Sequence, residues 1–104
     1  MALIDQIAEY GARDAVRALP DEVLRHAKRV VVDWFSALLP GTRVAPATLL
    51  VAAHGAELGV GRSTLPGFKT TAFPSLAAWI NGTASHTVEF DDIFKDAVYH
   101  PGCP

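Results

Sequence analysis

Glu89, Asp91, Asp92 and Asp96 place four of the chain's eleven acidic residues within eight positions, and His100 follows four residues later. Clustered carboxylates and a nearby histidine can share hydrogen bonds and pass protons, the arrangement that general acid–base catalysis uses. If a helix continues through this stretch, His86, Glu89, Asp92, Ile93 and Asp96 recur at three- and four-residue spacing along one face, and Asp91 points elsewhere. An acidic helix end is as readily a solvated face, and composition does not choose between the two. Asp92 and Asp96 also have the i, i+4 spacing that holds magnesium in diphosphate chemistry. That chemistry needs a second acidic motif and basic partners for the diphosphate, and the chain offers neither. His86 and Glu89 alone make too weak a zinc signature, so no metal is expected.

The remaining residues of chemical interest read as structure. His26 and His54 stand on helical segments without clustered partners, and Trp34, Phe35 and Trp79 read as apolar packing. The glycine-bearing run from Gly55 to Gly61 follows no strand and lacks a phosphate-loop or dinucleotide pattern. One cysteine, Cys103, cannot form an internal disulfide. A net charge of −2 with no basic stripe argues against nucleic acid as a partner. The longest apolar runs, such as Val30 to Val32 and Leu49 to Ala53, fall far short of the roughly 20 residues a membrane span needs, so no membrane is expected. The opening Met-Ala-Leu-Ile-Asp-Gln has no basic flank or cleavage site, and a soluble, cytoplasmic protein is the expectation.

Four apolar-periodic segments must position these residues. With 50% hydrophobic side chains the chain is too apolar to stay disordered, and its 104 residues make at most one small domain. Periodicity predicts helices over about Leu3 to Ala18, Asp21 to Leu39, Pro46 to Leu58 and Pro74 to Val88. Pro20-Asp21-Glu22 gives the second helix an acidic first turn, and Pro40-Gly41 ends it. Residues Leu65 to Gly67 read as a turn, with a brief strand possible at Lys69 to Ala72. Gly82 interrupts the fourth helix and suggests a close helix contact there. Seventeen alanines suit close helix packing, and the fold class expected is all-α.

The run Ala77-Ala78-Trp79-Ile80-Asn81-Gly82-Thr83-Ala84-Ser85-His86-Thr87-Val88-Glu89-Phe90-Asp91-Asp92, followed by Tyr99-His100-Pro101-Gly102, resembles the N-terminal signature of the MmgE/PrpD family. The segments Leu19 to Leu24 and Val32 to Gly41 are similar to that family's opening helices. Members include 2-methylcitrate dehydratase, cis-aconitate decarboxylase and an iminodisuccinate epimerase. The resemblance implies a large all-helical domain with a smaller α/β lid, of which residues 1–104 are the N-terminal portion of the helical domain, without the lid, and a fragment of a longer protein.

The resemblance further implies cofactor-free proton transfer beside a carboxylate, by a lyase or isomerase similar to 2-methylcitrate dehydratase, on a small carboxylic acid. His100 would be the base or acid, with Glu89 lining the same pocket and Glu89 and Asp92 orienting the imidazole. Asp91 and the backbone N–H of Gly102 would bind substrate. Family members often carry Asp where Glu89 stands and Thr where Ile93 stands, so the resemblance carries the reaction class and not the substrate. The 104-residue chain alone is expected to be inactive, since it supplies one side of the constellation, and a homodimer is expected. The competing reading is a noncatalytic helical domain that serves dimer or protein contacts, because fold alone does not separate the two.

Overall fold

The computed structural model describes residues 2–14, 17–89 and 91–100. Four helices run in order: α1 (Leu3–Asp14), α2 (Asp21–Gly41), α3 (Ala47–Ala53) and α4 (Pro74–His86). A 3₁₀ turn at Gly55–Glu57 follows α3, and a hairpin of β1 (Ser63–Leu65) and β2 (Thr70–Ala72) precedes α4. The chain is thus mainly helical with a small two-stranded sheet, where an all-α fold was expected. The strand anticipated at Lys69 to Ala72 forms over Thr70–Ala72, and its partner comes from the polar connection before the Pro66-Gly67 turn.

Local chemistry sets most boundaries. Pro20 precedes α2 in an extended conformation and Asp21 and Glu22 fill its first turn, where the helix dipole favours acids. Pro74 opens α4 at a position whose N–H has no helical partner to lose. Pro40 does not stop α2, which runs on through Gly41. The third helix is shorter than its apolar pattern, because His54 leaves helical geometry and Gly55–Glu57 tightens into the 3₁₀ turn.

Packing is concentrated on α4. One core cluster joins Leu65 and Ala72 of the hairpin to Leu76, Ala77 and Ile80 of α4, with Leu50, Val51, Leu58 and Phe68 against it. A second joins Leu38, Ala47 and Ala84, with Trp34 and again Phe68 alongside, so Phe68 in the hairpin turn ties the two together. The Asn81 side chain donates a 3.0 Å hydrogen bond to the Thr64 carbonyl and fastens the hairpin to α4.

The close contact anticipated at Gly82 occurs elsewhere: no atom would meet a Cβ there, while a Cβ on Gly41 would collide with the carbonyl of Ala84. Backbone therefore meets backbone where α2 crosses α4, at a point only glycine fits. Of the aromatic residues expected in the interior, Trp34 is half-buried against the second cluster, while Phe35 is exposed and, among the described aromatic groups, packs only edge-on against Trp34, at 4.9 Å. Trp79 is a correction: it is exposed and touches only the edge of the His54 ring among described aromatic groups, because the buried face of α4 is carried by Leu76, Ala77, Ile80 and Ala84. Leu3, Ile4 and Ile7 of α1 and Val30 to Val32 of α2 are exposed.

Candidate functional site

The acidic stretch is not helical. α4 ends at His86, the Thr87 hydroxyl donates to the Thr83 carbonyl at 2.6 Å, and Glu89 takes a left-handed conformation with φ of 51°. Its N–H donates to the His86 carbonyl at 3.1 Å, and the chain turns back on the helix end. The stripe of His86, Glu89, Asp92, Ile93 and Asp96 therefore does not exist as a helix face. A residue other than glycine at positive φ is strained, and such strain is concentrated at functional segments.

That reversal brings Asp91 under His86. The Asp91 side chain is 2% exposed, and its Oδ2 lies 3.4 Å from His86 Nδ1 and 3.0 Å from His100 Nδ1. His100 arrives by a second closure: the Phe94 N–H donates to the Tyr99 carbonyl at 2.8 Å, the two rings sit 5.7 Å apart, and Val98 takes a φ of 50° to make the turn. The loop from 94 to 99 thus folds on itself and delivers His100 beside the end of α4. The His86 and His100 rings meet edge to face at 4.5 Å.

Both imidazoles present Nδ1 to one carboxylate oxygen. Asp91 can accept from whichever Nδ1 carries a proton, which fixes that ring's tautomer and leaves its Nε2 as the free nitrogen. His86 Nδ1 meets Asp91 within hydrogen-bond reach, whereas His100 Nδ1 is buried and approaches Asp91 off the line of a hydrogen bond. His86 is half exposed and His100 one-quarter exposed, so the cluster opens to solvent along the imidazoles while its carboxylate stays inside.

The anticipated site residues separate. His100 and Asp91 meet, Asp92 is half-buried and faces α2, and Glu89 is exposed on the turn. Gly102 lies outside the described residues. With His26, Arg29, Val30 and Asp33, Asp92 lines an open hollow of about 370 Å³. His86 was not foreseen as a partner of Asp91. Only the stop of α4 makes five-residue spacing a contact, and neither Gly nor Asn marks that stop in the sequence.

The family model for the MmgE/PrpD N-terminal domain matches residues 5–104. The chain belongs to the MmgE/PrpD family. The match takes in α2, α4 and every described residue of the His86, Asp91 and His100 cluster. No curated protein and no solved structure matches this MmgE/PrpD chain. Among the described residues, no helix is long and apolar enough to cross a membrane.

Proposed function

We propose that this MmgE/PrpD chain is the N-terminal portion of a cofactor-independent lyase or isomerase that transfers a proton at a carbon beside a carboxylate. The observation that carries the reading is the 3.0 Å approach of His100 Nδ1 to the buried Asp91 carboxylate, inside the segment that matches the family. A negative charge that close favours a proton on Nδ1 and stabilises the imidazolium formed when Nε2 takes a second one. Asp91 is thus the positioning residue for His100, in place of the Glu89 and Asp92 pair that the sequence suggested for that task.

The reaction balances simply. His100 Nε2 removes the proton alpha to the substrate carboxylate; in a dehydration the C–H electron pair becomes a carbon–carbon double bond as the β-hydroxyl takes a proton from a second acid and leaves as water, and in an epimerisation that acid gives its proton to the opposite face of the carbon. The developing negative charge needs donors aimed at the substrate carboxylate. We assign Gly102 N–H to that task. Glu89, exposed on its turn, and Asp92, in the hollow against α2, are the acids of this segment we assign to the role of second acid.

Substituting His100 by Ala in the complete reading frame that contains this chain, with turnover measured on small tricarboxylates and aminodicarboxylates, tests the reading. A second reading, a noncatalytic domain for contacts with a second copy, draws on the exposed apolar residues of α1 and α2. Full turnover by the His100→Ala protein favours it.

A further inference from the structure

His86, Asp91 and His100 bring two imidazole nitrogens and one carboxylate oxygen within 4.8 Å of one another, on three stretches of chain folded around the end of α4. Two of the three separations, those to the carboxylate, are close to the spacing of a coordination shell. Ligands bonded at about 2.0–2.1 Å around a tetrahedral zinc ion stand roughly 3.3 Å apart, and here the two imidazole-to-carboxylate distances are 3.4 and 3.0 Å. All three donor atoms converge, because both rings turn Nδ1, rather than Nε2, toward Asp91. His100 Nδ1 is buried and makes no hydrogen bond, so an ion bound there displaces none. The half-exposed His86 gives an ion a way in.

We propose that His86, Asp91 and His100 form a three-ligand site for one divalent transition ion of the zinc type, with a coordination position left open to water or a carboxylate. Two nitrogen donors and one oxygen select zinc or cobalt over magnesium and calcium, which take oxygen shells. The ion and the Nδ1 proton compete for the same nitrogen of His100, so occupancy would block proton transfer. That consequence rests on the reading of the protein as a proton-transfer enzyme; the binding does not. Zinc would then be an inhibitory ligand of the site, displaced by a chelator.

The test titrates Zn²⁺ into the 104-residue chain by calorimetry and follows Co²⁺ by its visible absorption, both with Cys103→Ser so that the thiol contributes nothing. The expected result is one ion per chain, a four-coordinate cobalt spectrum, affinity weakened at least about tenfold in His86→Ala and in His100→Ala, and affinity within about twofold of the parent in the His26→Ala, His54→Ala double variant. In the parent chain itself, Zn²⁺ should shift the imidazole resonances of His86 and His100 and leave those of His26 and His54 in place, a readout that needs no ligand variant to fold. Absence of saturable Zn²⁺ binding, or binding that leaves the His86 and His100 resonances unmoved, overturns the proposal. Turnover measured with a chelator present tests the proton-transfer reading separately.

Discussion

Asp91 and His86 stand five residues apart in sequence, yet Asp91 Oδ2 lies 3.4 Å from His86 Nδ1 because the helix stops between them and Glu89 reverses the chain. The same oxygen reaches His100 at 3.0 Å. A single buried carboxylate therefore stands between two imidazoles, and each consequence of that arrangement can be measured.

Replacing Asp91 by Asn keeps the shape and removes the charge. Nitrogen-detected spectra of the imidazoles should then show His86 and His100 losing a preference for one tautomer, while His26 keeps its signals. In the complete reading frame kcat should fall at least about tenfold with KM little changed, because a group that positions the base acts on the transition state rather than on substrate binding. Unchanged tautomers would remove Asp91 from its positioning role.

The crossing of α2 and α4 makes a prediction about stability. Gly41→Ala puts a Cβ against the Ala84 carbonyl, where backbone cannot yield, and should cost about 1–3 kcal/mol in urea denaturation. Gly82→Ala meets open space and should stabilise α4 by up to about 1 kcal/mol through helix propensity. Equal effects of the two substitutions would mean that the helices do not cross at Gly41.

Some of this was legible in the residues. Pro20-Asp21 and Pro74 gave the starts of α2 and α4 because a proline at a helix entrance carries its own geometry. The family signature around Asn81 to Asp92 was legible, and the family model matches across it. The end of α4, expected at Val88, falls at His86; what was not legible is the reversal at Glu89, which a left-handed glutamate makes where no glycine marks it. Trp79 was misplaced for a related reason, since helical periodicity leaves several faces apolar and only the hairpin's position decides which is buried. Asp91 emerged as the hub only once the helix was known to stop, which also explains why Glu89 and Asp92 were preferred as the partners of His100.

Exposed Leu3, Ile4 and Ile7 make an uncovered face on α1. We expect the 104-residue chain to self-associate, and Ile4→Glu together with Ile7→Glu to shift it toward monomer in light scattering with little change in melting temperature, because those side chains stabilise no described interior contact. A monomeric parent chain would assign that face no role in pairing.

Proton transfer by His100 is the central claim, and isotope exchange reads it most directly. The complete reading frame and its His100→Ala variant are incubated in deuterium oxide, with a chelator, on small tricarboxylates and aminodicarboxylates, and proton spectra follow loss of the hydrogen alpha to the carboxylate. The parent should exchange or convert a member of that set, and the variant should do so at least about a hundredfold more slowly, the usual scale for a general acid–base group. Equal rates in the two proteins would contradict the assignment of His100 as the group that moves the proton.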